Sequence, residues 1–355
     1  MKAILLAGGF GTRLRPLTLN TPKPIVPILD QPFVQHQINL IRTVPEVDEI
    51  VLSLNYQPEL IEQALSAYET MKPGIRYICE PEPLGTGGAI RYAAGDTSKT
   101  VIVFNGDVLS EIKLDEMMAL HKKQNAVATI ALTPVDNPIA YGLVETDASG
   151  NVKRFIEKPE PFDVTTNNIN AGVYILEPST FDRIPPETKY SIERSYFPSL
   201  IENNEPFFAY IDSGYWLDIG TPQKYLQAHR DLLDGRCASS LHDAGATGGP
   251  IILDGAQVHP TARLEANCFV GHDAIIGRNV YLGEHAVIGR SVTIEPETSV
   301  HRSVVWPESQ IGSGVCLDGT VIGHRCRIGD CCQLGPEVVL GDDSNISPYT
   351  RASET

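Results

Sequence analysis

The sequence has 355 residues, a formal net charge of −16 and 42% hydrophobic residues. This length exceeds what one hydrophobic core usually supports, so we expect two domains. The acidic balance argues against a nucleic acid or an anionic membrane as a partner, and no apolar run is long enough to cross a bilayer. The seven cysteines form no C-x-x-C pair, which predicts a reducing cytoplasm and neither a zinc site nor a disulfide scaffold.

Residues 1–232 alternate between apolar strands and amphipathic helices. The predicted strands are KAILLAG (2–8), EIVLSLN (49–55), IRYICE (75–80), TVIVFNGD (100–107) and AVATIALTPV (126–135). The predicted helices are FVQHQINLIRTV (33–44), PELIEQALSAYETM (58–71), TGGAIRYAAGD (86–96) and KLDEMMALHKKQ (113–124). This order predicts an α/β fold, a Rossmann-like, doubly wound and mostly parallel sheet with its ligands at the carboxyl ends of the strands.

Residues 233–250 lose this periodicity and gather Gly, Ala and Ser, so we predict a linker there. Residues 251–355 form the last predicted domain, in which aliphatic residues recur every six positions from Val258 to Ile346, with a change of phase near Trp306 and another after Leu317. A hexapeptide period indicates a parallel β-helix with three hexads to a triangular coil, or about five coils here. The ends of such a solenoid expose strand edges, so we expect a homo-oligomer that assembles through the β-helix.

The opening stretch MKAILLAGGFGTRLRP follows its strand with glycines and arginines in a spacing that fits neither the G-x-G-x-x-G fingerprint nor the Walker loop. Backbone N–H groups at Gly8, Gly9 and Gly11 can approach an anion closely. Arg13 adds a guanidinium whose fork matches phosphate oxygens, and Lys23 stands between two prolines that stiffen its loop. The stretch therefore predicts a phosphate-binding loop rather than an ordinary turn with surface arginines.

Two aspartates follow apolar strands. Asp107 alone could be a helix cap. Asp218, in YWLDIGTP, lies among aromatic and aliphatic residues, where a carboxylate is costly unless it has a partner. Since Mg²⁺ prefers one or two carboxylates together with substrate phosphates, we predict that the two aspartates share one Mg²⁺.

A second glycine-rich turn, EPEPLGTGG, opens a predicted helix at Gly85 and is preceded by Glu80. The N1–H and 2-amino groups of guanine suit a carboxylate acceptor, whereas adenine presents an acceptor at N1. We therefore predict that Glu80 recognises guanine. The alternative is that Glu80 only favours the N-terminus of the helix that follows.

Two later segments carry polar side chains suited to a sugar phosphate. Lys158, in FIEKP, could neutralise the phosphate, while Glu157 and Asn170 could bind hydroxyl groups. Taken alone, an exposed Glu-Lys pair is usually only solvated surface.

Read in order, LAGGFGTRLRPLT, TPKP, EPLGTGG, NGD, YG, EKP, NAG and WLDIGTP resemble the sugar-1-phosphate nucleotidyltransferases. With its hexapeptide tail the chain is most similar to the branch that joins GTP and mannose 1-phosphate. The resemblance implies an Mg²⁺-dependent enzyme that forms GDP-mannose and pyrophosphate, and a β-helix that is left-handed.

The resemblance also implies a role for each matching residue. Arg13 would steady the triphosphate and the leaving pyrophosphate, and Lys23 would contact phosphate during transfer. Asp107 and Asp218 would bind Mg²⁺, and Lys158 the sugar phosphate. Residues around the sugar would be Gly142, Glu157 and Asn170; residues lining the nucleotide site would be Gly8, Gly9 and Gly85.

Other functions stay open at this point. The enzyme could transfer a thymidylyl, uridylyl or adenylyl group to glucose 1-phosphate, or a guanylyl group to a heptose 1-phosphate. Thymidylyl relatives tend to carry an amide near position 80, so Glu80 favours guanine. The chain could instead be a regulatory subunit that only binds nucleotide-sugar. It could also be bifunctional, with acyl transfer in the β-helix that uses histidines as bases. The histidines available for that are His259, His272, His285, His301 and His324.

Overall fold

The computed structural model describes residues 1–68, 71–237 and 249–353, so most of the predicted linker lies outside the described residues. The chain divides into two compact units. The first comprises Met1–Gly9 and Val34–Trp216, and the second comprises Phe10–Phe33 and Leu217–Thr355. In the ranges that the structure describes, no helix is long and apolar enough to cross a membrane.

The elements of residues 1–237 follow the predicted alternation. The strands are β1 (Lys2–Leu6), β2 (Pro27–Ile28), β3 (Gln31–Pro32), β4 (Glu49–Leu54), β5 (Gly74–Cys79), β6 (Val101–Asn105), β7 (Val108–Ser110), β8 (Ala128–Pro134), β9 (Gly142–Thr146), β10 (Val152–Glu157), β11 (Asn168–Leu176), β12 (Phe207–Ile211) and β13 (Trp216–Asp218). The α-helices are α1 (Phe33–Ile41), α2 (Pro58–Leu65), α3 (Gly85–Ala94), α4 (Leu114–Lys123), α5 (Phe197–Glu202) and α6 (Pro222–Leu233).

The first unit is built on a nine-stranded sheet. Seven strands run in the order β10-β9-β11-β6-β1-β4-β5, and β8 pairs with β11 and β12. The half of the sheet around β1 is parallel, which confirms the predicted Rossmann-like fold. The other half is mixed, because β11 runs antiparallel to β6, β8 and β9. A hairpin with Gly150 at φ 84° joins the antiparallel strands β9 and β10. The sequence did not predict these directions, because the apolar pattern of a strand is the same whichever way the strand runs.

The register of the parallel strands determines which residues share an edge. Leu6 of β1 lies opposite Ser53 of β4 and Asn105 of β6. The carboxyl ends of these strands therefore reach one edge of the sheet, where Gly8 and Asp107 follow two residues later.

The second unit contains the β-helix. Its strands are β14 (Ile251–Ile252), β15 (Gln257–Val258), β16 (Arg263–Leu264), β17 (Phe269–Val270), β18 (Ile275–Ile276), β19 (Tyr281–Leu282), β20 (Val287–Ile288), β21 (Thr293–Ile294), β22 (Ser299–His301), β23 (Val304–Val305), β24 (Gln310–Ile311), β25 (Cys316–Asp318), β26 (Val321–Ile322), β27 (Arg327–Ile328), β28 (Gln333–Leu334), β29 (Val339–Leu340), β30 (Asn345–Ile346) and β31 (Arg351–Ala352). They form three parallel sheets of six strands each. The arrangement is consistent with the predicted left-handed β-helix.

The coil number and the changes of phase follow from the register. The described residues form six rungs rather than about five, because the repeat already begins at Ile251–Ile252 and continues to Arg351–Ala352. Partners in adjacent rungs are usually 18 residues apart, as for Val270 and Ile288, but Ile288 aligns with Val305. A coil shortened by one residue thus explains the first change of phase.

We predict that the two isoleucines of β18 differ sharply in their contribution to stability. Ile276 is 2% exposed and points inward, whereas Ile275 is 44% exposed. Ile276→Ala should lower the free energy of unfolding by about 2–5 kcal/mol, and Ile275→Ala by less than about 0.5 kcal/mol. Urea unfolding followed by the fluorescence of Trp306, in a Trp216→Phe background, measures both. Equal losses would contradict the inward register.

Candidate active site

Cβ of Lys23 packs directly against Gly11, in the glycine loop that follows β1 (residues 8–11). Gly11 has φ 61°, and a β-carbon there would lie 3.0 Å from Cβ of Lys23 and 3.2 Å from Cγ2 of Thr18. The Thr18 hydroxyl donates to the carbonyl oxygen of Gly11 at 2.7 Å. Lys23 is only 8% exposed. The loop therefore requires glycine at 11, both for its left-handed conformation and for the approach of Lys23.

Two cations converge on the carboxylate of Asp218. Nη1 of Arg13 and Nζ of Lys224 each lie 3.8 Å from the same oxygen, Oδ2. A β-carbon on Gly220 would lie 2.8 Å from the guanidinium carbon of Arg13. Arg13 itself is exposed, so its ion pair adds little stability. Its guanidinium remains accessible to an anion.

Lys224 was not singled out from the sequence. The side chain of Thr221 caps α6 by accepting a hydrogen bond from the Lys224 N–H at 3.3 Å. This cap places Lys224 in the first turn of the helix that directly follows Asp218 and Gly220. The signal available in the sequence was the cap residue Thr221 and a lysine three positions later.

The predicted metal ligands have the chemistry that a divalent cation requires. Asp218 ends β13, and Asp107 lies half-buried in the turn between β6 and β7. Across the described ranges, no group of three or more His, Cys, Asp or Glu side chains could hold a metal ion. Mg²⁺ commonly combines one or two carboxylates with water and phosphate oxygens.

Glu80 is buried at the end of β5 and holds two segments together. Its Oε1 accepts a hydrogen bond from the Ser53 hydroxyl at 2.9 Å, and its Oε2 accepts one from the Leu84 N–H at 3.1 Å. A β-carbon on Gly8 would lie 3.4 Å from Oε1. The structure thus brings Gly8 and Glu80 together, and an ionised carboxylate has lone pairs left to accept a further donor.

Gly85 is required by the chain's own backbone. It has φ 69°, and a β-carbon would lie 2.9 Å from the carbonyl oxygen of Tyr190. The same oxygen accepts the N–H groups of Gly87 and Gly88 at 2.9 and 3.2 Å. Tyr190 therefore occupies two of the N–H groups in the first turn of α3. Gly9 differs, since a β-carbon there would meet nothing within 4 Å.

Two of the predicted sugar-binding residues, Gly142 and Glu157, lie on β9 and β10, and the third, Asn170, lies on β11. A β-carbon on Gly142 would lie 3.1 Å from Oε2 of Glu157 and 2.8 Å from the Phe155 ring. Burial raises the pKa of Glu157 above its usual value, Glu193 raises it further, and Lys158 partly offsets both. Lys158 is exposed, has φ 56° and donates its backbone N–H to Tyr141 at 3.1 Å.

Asn170 belongs to a hydrogen-bonded cluster around the buried hydroxyl of Tyr174. The amides of Asn170 and Asn105 both donate to this hydroxyl, at 2.8 and 3.3 Å. The side-chain oxygen of Asn170 also accepts the Gly172 N–H at 2.9 Å. Burial raises the pKa of Tyr174 well above its usual value, and the charge of Asp107 adds to the shift. Sequence reasoning missed Tyr174, which orients Asn170 beneath the predicted site.

The β-helix histidines have local partners. His285 contacts Asp234 at 2.7 Å and His259 contacts Thr261 at 3.0 Å. His272 lies 3.6 Å from Asp30. Rings pack edge-on for His301 against Tyr281 and for His324 against Trp306. All seven cysteines, which lie within the described ranges, carry free thiols.

Two family models match the chain and define its class. The chain belongs to the nucleotidyl transferase family, whose model matches residues 2–235. A model described as the GMPPB C-terminal domain matches residues 264–354. The chain is therefore an enzyme of nucleotidyl transfer, as the motifs predicted; nucleoside triphosphates and sugar phosphates are the substrates in this family, which generally uses a divalent metal ion.

Individual relatives show which members of this class the chain is similar to. The chain is 37% identical to mannose-1-phosphate guanylyltransferase 1 of Arabidopsis thaliana over 98% of this chain and 92% of that protein. It is 39% identical to mannose-1-phosphate guanylyltransferase of Mycobacterium tuberculosis over 78% of this chain and 76% of that protein. These relatives confirm the predicted resemblance.

Among solved structures, HddC from Yersinia pseudotuberculosis is similar, with 31% identity and a TM-score of 0.55. The match covers 64% of this chain and 97% of HddC. A second structure of HddC holds GMP-PN.

We predict that Gly220→Ala displaces Arg13 without unfolding the protein. The new β-carbon would overlap the far end of a flexible side chain, which can move away at little cost in stability. A misplaced catalytic group can lower kcat roughly 10- to 100-fold. Steady-state kinetics and thermal unfolding test this, with Gly74→Ala as control because a β-carbon at Gly74 meets nothing within 4 Å. A wild-type kcat in Gly220→Ala would show that catalysis does not depend on the Arg13 guanidinium lying beside Gly220.

Proposed function

We propose that this protein transfers a guanylyl group from GTP to mannose 1-phosphate in an Mg²⁺-dependent reaction that yields GDP-mannose and pyrophosphate. The observation that carries the proposal is the convergence of Arg13 and Lys224 on Asp218, beside the glycine loop, in a chain of net charge −16. Cations gathered at one site of an acidic protein suit a polyphosphate. The named relatives support mannose 1-phosphate and GTP as the substrates.

In the proposed mechanism, a phosphate oxygen of mannose 1-phosphate attacks the α-phosphorus of GTP in line, and pyrophosphate leaves. Arg13 holds the triphosphate and then the leaving pyrophosphate, Lys23 contacts phosphate during transfer, and Lys158 holds the sugar phosphate. The nucleotide site is lined by Gly8, Gly9, Gly11 and Gly85. The sugar is surrounded by Gly142, Glu157 and Asn170. Catalysis is then positioning together with charge neutralisation, without a covalent enzyme intermediate.

Asp107 and Asp218 would hold the Mg²⁺ ion together with the substrate phosphates. When bound, the ion supplies positive charge that offsets the charge of the phosphates. The carboxylates would hold the ion in place, and the nearby Arg13 and Lys224 limit the negative charge that Asp218 adds to the site.

The experiment that tests the function is a crossed assay of pyrophosphate release with Mg²⁺. It combines GTP, dTTP, UTP and ATP with mannose 1-phosphate, glucose 1-phosphate and a heptose 1-phosphate. We expect the highest kcat/KM with GTP and mannose 1-phosphate. A preference for another pair would overturn the substrate assignment and keep the enzyme class, whereas no release with any pair would favour a regulatory subunit.

We predict that Arg13→Ala and Asp107→Ala each lower kcat about 10²–10³-fold, as expected when a preorganised charge contact is lost. Both variants should stay folded, because Arg13 is exposed and Asp107 lies in a turn. Circular dichroism and thermal unfolding provide the control. Near-normal turnover in either variant would refute its assigned role.

Glu80→Gln tests base recognition while preserving the local fold. Its amide oxygen can still accept from the Leu84 N–H, and its amide nitrogen can donate to the Ser53 hydroxyl. Losing a hydrogen bond to a charged group costs about 1.5–3 kcal/mol, so kcat/KM for GTP should fall about 10- to 100-fold. The kcat/KM for ITP should fall less, because ITP lacks the 2-amino group that Glu80 is predicted to bind. An unchanged ratio of GTP to ITP would show that Glu80 has only its structural role.

We further propose that the chain acts in the cytoplasm as a homo-oligomer, with residues 1–232 as the catalytic domain, 233–250 as linker and 251–355 as the β-helix. The two family models support the division, since they match residues 2–235 and 264–354. The last described strand, Arg351–Ala352, is exposed and offers a free edge for assembly. Light scattering of the purified chain measures its mass, and a monomer would refute the assembly.

A further inference from the structure

The phosphate-binding segment Phe10–Phe33 contacts the β-helix within the second unit. The Thr21 hydroxyl donates a hydrogen bond of 3.1 Å to Oδ2 of Asp342. One residue earlier, a β-carbon on Gly341 would lie only 3.2 Å from Cβ of Pro16. The turn after β29 thus touches the segment on either side of Leu17–Leu19, at Pro16 and at Thr21.

Asp342 is fixed by the β-helix before it reaches the segment. Its Oδ1 accepts the backbone N–H of His324 at 2.9 Å, and this oxygen lies 2.7 Å from the position of a β-carbon on Gly323. One carboxylate oxygen therefore caps the turn of the preceding rung. The other is left oriented toward Thr21.

The contact lies two residues from Lys23. Thr21 is 7% exposed, so its side chain has little freedom to move. Pro22 and Pro24 restrict φ on both sides of Lys23, and Cβ of Lys23 packs against Gly11. A displacement of Thr21 is therefore passed to the Lys23 backbone rather than absorbed by rotation of the intervening residue.

We propose that Asp342 of the β-helix is a positioning residue for nucleotidyl transfer, acting through Thr21 to hold Lys23 where it meets the phosphates. The inference rests on the proposed role of Lys23 in transfer. It assigns the β-helix a positioning part in the reaction, distinct from assembly or acyl transfer.

The chain offers a matched control in another turn of the β-helix, the turn after β27. Oδ1 of Asp330 accepts the backbone N–H of Ser313 at 2.8 Å and lies 2.6 Å from the position of a β-carbon on Gly312. Asp330 thus caps its turn as Asp342 does. Within the described ranges, the hydrogen bonds of Asp330 stay in the β-helix, whereas Asp342 also accepts one from Thr21.

The test compares Asp342→Ala with Asp330→Ala in the full chain, using the substrate pair that wild type turns over. Both variants lose one turn cap, so we expect similar decreases in thermal stability. Asp342→Ala should lower kcat roughly 10- to 100-fold with little change in either KM, while Asp330→Ala keeps the wild-type kcat. Equal kcat values in the two variants would overturn the proposal.

A second pair of variants keeps the test decisive if Asp342→Ala does not fold. Thr21→Val removes the hydroxyl and should lower kcat on the same scale, and Thr21→Ser, which retains it, should restore most of the rate. In the double variant Thr21→Val/Asp342→Ala the losses should not add, since both remove one contact. Additive losses of kcat in the double variant, or equal kcat values for Thr21→Val and Thr21→Ser, would overturn the proposal. If wild type itself shows no transfer with any pair, the proposed function fails instead.

Discussion

The need to bind a polyphosphate in a chain of net charge −16 constrains the whole phosphate loop. The protein meets it locally. Arg13 and Lys224 both lie 3.8 Å from one oxygen of Asp218, and Gly220 leaves the space that the Arg13 guanidinium occupies. The two cations thus offset the negative charge of a buried carboxylate, while the Arg13 side chain remains exposed.

Placing these charges requires a loop with a defined path, and the loop draws part of its support from the β-helix. The carboxylate of Asp342 accepts a hydrogen bond from the Thr21 hydroxyl. Near the other end of the same segment, Asp30 lies 3.6 Å from both His272 and Arg290. Burial raises the pKa of Asp30, while Arg290 and then His272 lower it, so the two cations offset the cost of burying the carboxylate. A regular solenoid is suited to this task, because its rungs provide anchor points at fixed spacing.

Much of this architecture could be predicted from the sequence, because it rests on periodicity. The hexapeptide repeat identified the inward residues of the β-helix, and the order of strands and helices identified the parallel half of the sheet. The antiparallel strands β9, β10 and β11 could not be oriented, since an apolar pattern is the same in either direction. The contacts of Lys224 with Asp218 and of Thr21 with Asp342 were also missed. The Thr21 contact joins residues 321 positions apart, and no local motif records it.

Glu80 and Gly85 show a subtler limit of sequence reasoning. The sequence predicts both at the nucleotide site, Glu80 from its chemistry and Gly85 from the family resemblance, yet each also serves the chain's own backbone. Glu80 accepts hydrogen bonds from Ser53 and Leu84, and the left-handed Gly85 avoids the carbonyl oxygen of Tyr190. A residue type suited to a ligand can equally be explained by the fold, and only the contacts separate the two roles.

We propose that Arg13, Lys23 and Lys158 catalyse one direct displacement by positioning and charge, with no covalent enzyme intermediate. The exchange of labelled pyrophosphate into GTP tests it most directly. We expect label to enter GTP only when GDP-mannose is present to be cleaved, because pyrophosphate must attack a bound nucleotide-sugar. Exchange into GTP in the absence of any sugar nucleotide or sugar phosphate would reveal a guanylylated enzyme and contradict the account.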